Sequence, residues 1–129
     1  MSRDVEVVAP DTALMEIQER MNRHGFRHLL VVEDGRLVGV LSDRDVLRAI
    51  SPDIDTLVEE PRDVKTLARP AREVMRADPI TTRPGTPIEE AGRLLLERSI
   101  SCLPVVDRGG KIAGIVTSRD ILRHFVEQS

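Results

Sequence analysis

The stretch GVLSDRDVLRAI, Gly39 to Ile50, returns as GIVTSRDILRHF, Gly114 to Phe125. An internal repeat constrains a fold more than any single motif, because both copies must satisfy the same pattern of burial. Aligning Pro10 with Pro84 holds register up to Asp34 and Arg108. One residue is added where EDGR becomes DRGGK, and from Gly35 and Gly110 register holds to the end. Identical pairs include Thr12/Thr86, Leu29/Leu103, Val31/Val105, Gly39/Gly114, Arg44/Arg119 and Asp45/Asp120.

Each copy predicts the order β-α-β-β-α. A short strand comes first, Glu6–Ala9 or Ile80–Arg83, and a helix follows. Thr86-Pro87-Ile88-Glu89 reads as a capping box with proline at the first helical position, and Thr12 takes the same place in the first copy. The apolar residues Leu14, Ile17 and Met21 have helical spacing, as have Ile88, Ala91 and Leu95. Gly25 is suited to end the first helix, since it accepts positive φ. HLLVV and LPVV read as buried strands. Asp34-Gly35 and Arg108-Gly109-Gly110 turn each into a second strand, making a hairpin. A last helix, RDVLRAI or RDILRHF, closes each copy. The first two strands of a copy are joined through a helix, so they are expected to be parallel.

We read residues 1–50 as the first copy, 51–72 as a connector and 73–129 as the second copy. The connector carries Pro52, Pro61 and Pro70 and many charges, and it reads as solvated chain. AREVM is expected to form a short helix leading into the second copy.

Hydrophobic residues make up 40% of the 129, enough for a core. With two Phe and no Trp or Tyr, that core must be aliphatic, and a ring-shaped ligand would lie against aliphatics or backbone. The net charge of -3 argues against nucleic acid as a partner. Cys102 is the only cysteine, so no internal disulfide can form, which fits a reducing cytosol. No apolar run approaches the ~18 residues of a membrane span. The N-terminus lacks the apolar core of a signal peptide. The expected location is the cytoplasm, with no membrane association.

Two copies of β-α-β-β-α carrying these signals resemble a tandem pair of CBS domains, a Bateman module in a stand-alone protein. The resemblance rests on VVAPDTALMEIQERMNRHGFRHLLVVEDGRLVGVLSDRDVL and VMRADPITTRPGTPIEEAGRLLLERSISCLPVVDRGGKIAGIVTSRDIL. It implies an α/β fold (α+β by some schemes) of two pseudo-twofold-related motifs packed through their sheets. It also implies a homodimer, and a regulatory role with no catalysis and no required cofactor. The regulatory ligand would be an adenosyl compound: AMP, ADP, ATP or S-adenosylmethionine. A separate effector protein, of unknown identity, would receive the signal.

The pattern Gly-apolar-apolar-Ser/Thr-x-x-Asp ends a strand and opens a helix. On local grounds Ser42 with Asp45, and Thr117 with Asp120, form reciprocal helix caps. The same geometry suits a nucleotide: a carboxylate matches a vicinal diol, and helix-start amides with Arg44 or Arg119 suit a phosphate. Capping and binding are compatible, and both readings stand. The resemblance implies ligand contacts in the second copy from Thr81, Thr82, Ser101, Cys102, Leu103, Pro104, Thr117, Ser118, Arg119 and Asp120. In the first copy it implies Val7, His28, Leu29, Leu30, Ser42, Asp43, Arg44 and Asp45. The second set is better equipped, because Val7 and Val8 replace Thr81 and Thr82, and Leu30 replaces Pro104. Val74 and Met75 supply the second copy with an upstream segment that the first lacks.

Other polar residues read as structure. Cys102 is expected to be a buried thiol with no base beside it. His24 and His28 are separated by a helix stop, and His124 is expected at the surface. No nucleophile–base pair or phosphate-cradling loop appears. A dimerisation scaffold without ligand is the competing reading. An enzyme and a nucleic-acid binder stand further back.

Overall fold

The computed structural model describes residues 5–50 and 67–128. They fall into two compact units, one holding Glu6–Asp34 and Val38–Asp78, the other built mainly on Pro79–Ser129.

In the first unit β1 (Val7–Val8) runs parallel to β2 (His28–Glu33), with Val7 opposite Leu30 and Val8 opposite Val31. Helix α1 (Leu14–His24) connects them. Its Leu14, Ile17 and Met21 are buried, as their spacing predicts. Gly25 ends it at φ 70°, with its N–H donating to the Met21 carbonyl at 2.8 Å. Asp34 and Gly35 form the two-residue turn into β3 (Arg36–Ser42), with φ of 52° and 77°. Positive φ at both positions is the turn whose twist matches a hairpin. Helix α2 (Asp43–Ile50) follows and buries Val46 and Ile50.

The AREVM segment forms the expected short helix, α3 (Ala71–Val74), and packs in the first unit. It leads into β4 (Arg76–Ala77), which pairs antiparallel with β3 and completes the sheet order β1-β2-β3-β4. Ala71 is fully buried in the first core, beside Leu14 and Ile17. The reason lies in Gly39 of β3: a Cβ there would sit 2.8 Å from Met75 Cγ, so the missing side chain is the space that Met75 fills. The segment also supplies the start of α1. Leu14 N–H donates to the Arg69 carbonyl at 2.9 Å, and Ala71 N–H donates to the Thr12 carbonyl at 2.8 Å. Backbone therefore does the work expected of Thr12, whose hydroxyl instead accepts from Ala9 N–H at 3.1 Å. The remainder of the expected connector, including VEEPRDVK, lies outside the described residues.

In the second unit the expected strand Ile80–Arg83 contracts to one parallel bridge, Thr82 with Val105. Pro79 and Pro84 bracket this stretch and Gly85 turns it at φ 88°, so a longer ladder cannot run. Helix α4 (Ile88–Arg98) buries Ala91 and Leu95. The expected capping box at its start is not made. Pro87 is the N-cap, and the Thr86 hydroxyl donates to the Arg83 carbonyl at 2.8 Å. Ser99 ends the helix at φ 53°. Strands β5 (Cys102–Val106) and β6 (Ile112–Thr117) form an antiparallel pair, and α5 (Ser118–Glu127) follows. The core joins Ala91 and Leu95 to Leu103, Val105 and Val116.

Candidate functional site

Both Ser/Thr-x-x-Asp motifs form reciprocal caps. Thr117 N–H donates to Asp120 Oδ2 at 2.9 Å, and Asp120 N–H donates to Thr117 Oγ1 at 3.2 Å. Ser42 and Asp45 repeat this at 3.0 and 3.1 Å. Each cap uses one carboxylate oxygen and leaves the other. At Asp45 the second oxygen faces Arg76 of β4, with Oδ1 3.6 Å from Nε. At Asp120 it has no partner among the described residues.

Asp120 opens onto a recess of about 560 Å³ within the second unit. One wall is the turn Thr82 to Thr86, and the other is the α5 face carrying Asp120, Arg123, His124 and Glu127. Ile88, Ala91, Val105 and Val116 give it an apolar floor. Thr82 is clamped to β5 by its backbone: its N–H donates to the Pro104 carbonyl, and its carbonyl accepts from Val106 N–H, both at 2.9 Å. Chemically, the recess offers two carboxylates, Asp120 and Glu127, an aliphatic surface for a flat ring and three basic side chains.

Of the sequence-derived candidates, Thr82 and Asp120 line this recess. Thr117 touches it indirectly, by capping Asp120. Thr81, Ser101, Ser118 and Arg119 are exposed, and none of them is among its lining residues. Leu103 and Pro104 are buried in β5. Cys102 is buried as expected, and desolvation followed by the Asp120 charge pushes its thiol up to about 12. In the first unit Leu29 and Leu30 are fully buried, while Val7 and Asp43 are exposed. Arg44 is exposed as well. His28 is half-buried, and burial lowers its pKa despite the Asp43 and Asp45 charges, which act the other way.

Sequence reasoning missed Arg83, Thr86, Arg123 and His124. His124 was expected at the surface, yet it is half-buried and lines the recess. The signal was present in the repeat: Ala9 stands opposite Arg83 and Ala49 opposite His124, so the second copy gains basic residues where the first has methyl groups.

The family model for the CBS domain matches residues 1–52 and 71–127. The chain belongs to the CBS-domain family. Its second CBS match begins at residue 71, so α3 and β4 belong by sequence to the second CBS motif while packing on the sheet of the first. An uncharacterized protein of Methanocaldococcus jannaschii is 32% identical over 97% of this chain, which spans 45% of that protein's length. A CBS domain-containing protein of Dictyostelium discoideum is 30% identical over 95% of this chain and 85% of its own length. Among solved structures, CBSX2 in complex with AMP is similar, with a TM-score of 0.79, 32% identity and coverage of 97% of this chain and 90% of that one. The CBS domain pair of protein MJ0100, in complex with 5′-methylthioadenosine and S-adenosyl-L-methionine, has a TM-score of 0.83 and 25% identity. It covers 100% of this chain and 94% of its own.

Proposed function

We infer that this CBS pair is a non-catalytic regulatory module that binds an adenosyl ligand in the second copy. The observation that carries this reading is the open oxygen of Asp120 beside an apolar-floored recess ringed by Thr82, Arg83, Arg123 and His124. A carboxylate that accepts but cannot donate suits the two hydroxyls of a ribose. Arg83, Arg123 and His124 suit an anionic tail such as the phosphates of AMP, ADP or ATP, while the carboxylate of Glu127 on the same face suits the cationic part of S-adenosylmethionine. The complexes of CBSX2 with AMP and of MJ0100 with adenosyl compounds support the ligand class. The ligand would stabilise one state of a cytoplasmic homodimer and pass that state to a separate effector protein.

The competing scaffold reading has one observation in its favour. Leu47 on α2 and Leu122, Phe125 and Val126 on α5 are exposed apolar side chains. They suit contact with another protein surface. Calorimetric titration of the nucleotide-stripped chain with AMP, ATP and S-adenosylmethionine separates the readings. Saturable heat that Asp120→Ala weakens supports the ligand module. A folded chain giving no heat with any of the three supports the scaffold.

A further inference from the structure

The hydroxyls of Thr82 and Thr86 form a relay whose direction is fixed by its far end. Thr86 Oγ1 lies 2.8 Å from the Arg83 carbonyl oxygen, which can only accept, so Thr86 spends its one proton there. The contact between Thr82 Oγ1 and Thr86 Oγ1, at 2.7 Å, must then be donated by Thr82. Thr82 has no proton left for a ligand, and no donor among the described residues reaches its oxygen. Its backbone is held at both ends to β5, so it cannot swing away from the recess.

Thr82 and Asp120, on opposite walls of the recess, are therefore both acceptors and call for donors on the ligand. Resting on the adenosyl-ligand reading, the ribose hydroxyls are taken by Asp120. The donor left for Thr82 is the 6-amino group of the base. We propose that Thr82 is the residue by which the recess tells a 6-aminopurine from a 6-oxopurine nucleotide. A 6-oxo group would set oxygen against oxygen, and Thr82 could answer only by abandoning Thr86. The first copy lacks the device: Val8 stands opposite Thr82, and the Thr12 hydroxyl accepts from Ala9 N–H.

The test is titration of the nucleotide-stripped full chain with AMP, IMP and 2′-deoxy-AMP. Wild type is expected to bind AMP about tenfold tighter than IMP, the size of one net hydrogen bond. Thr82→Val narrows the ratio by weakening AMP. Thr86→Val narrows it by strengthening IMP, because the Thr82 proton is released to serve the 6-oxo group. Thr86→Ser keeps the relay and restores the wild-type ratio, which a merely structural role for Thr86 would not require. A wild-type ratio in folded Thr86→Val, or equal binding of AMP and IMP by wild type, overturns the inference and leaves adenosyl binding standing. Loss in Thr82→Val of discrimination against 2′-deoxy-AMP rather than IMP assigns Thr82 to the ribose and overturns it too. A folded wild type that binds none of the three overturns both readings together.

Discussion

Arg76 holds its guanidinium 3.6 Å from the Asp45 carboxylate, whereas Asp120, the counterpart of Asp45 in the repeat, faces an open recess. Carrying the register back along the chain places Ser2 opposite Arg76, so the cation belongs to one copy only. The Asp45 side chain is 11% exposed, and its second oxygen already meets a charge supplied by the chain itself.

Ligand binding is therefore expected to be asymmetric. Asp120→Ala removes charge-assisted hydrogen bonds worth about 1.5–3 kcal/mol, a loss of about ten- to a hundredfold in Kd for AMP. Asp45→Ala leaves that affinity within about twofold. Titration calorimetry on the two variants checks both values, and equal losses would contradict the asymmetry.

Gly39 and Met75 tie the returning segment to the first unit. Gly39→Ala forces Met75 to move and is expected to cost about 1–3 kcal/mol, read as a lower urea midpoint. Met75→Ala in the same chain clears the space, so the double variant should lose less than the sum of the single losses. Strict additivity would show that the contact carries no energy.

The β-α-β-β-α order, the Gly25 stop and the Asp34-Gly35 turn were readable because each depends on local spacing or on one residue's permitted φ. The placement of α3 and β4 was not. It depends on a pairing between residues 39–40 and 76–77, and nothing in AREVM states which sheet edge is bare. The capping box at Thr86 failed for a similar reason. Its hydroxyl had a second acceptor within reach, the Arg83 carbonyl, that a turn around Gly85 brings close. At the site, Asp120 was found by its motif. Arg83 and His124 have no motif, and they emerge only when the two copies are compared at non-identical positions.

His28 should make stability sensitive to mild acid. Burial lowers its folded-state pKa below the ordinary 6.5, so the unfolded chain binds the proton more readily. Its contribution is neutral above pH 6.5 and becomes destabilising as pH falls through that value. Urea midpoints measured from pH 7.5 to 5 should drop less steeply in His28→Gln than in wild type. A parallel course for both proteins would remove His28 from the pH response.

Cys102 is expected to resist alkylation. With its thiol pushed up to about 12, almost no thiolate exists at pH 8, and the side chain is buried. Iodoacetamide should label the native protein far more slowly than the urea-unfolded chain, as mass spectrometry would show. The same shift predicts falling stability above about pH 9, where the unfolded thiol begins to ionise and the folded one does not.

Ala71 and Met75 lie in the first unit, yet the second CBS match begins at residue 71, so a cut between the two repeats does not yield two self-sufficient halves. A first motif made without residues 71–77 would lose the strand that pairs with Gly39 and Val40, and with it the side chain that lies against Gly39. Its sheet would then end in a bare edge, open to pairing with another chain. The two copies are repeated in sequence but are not separable as parts.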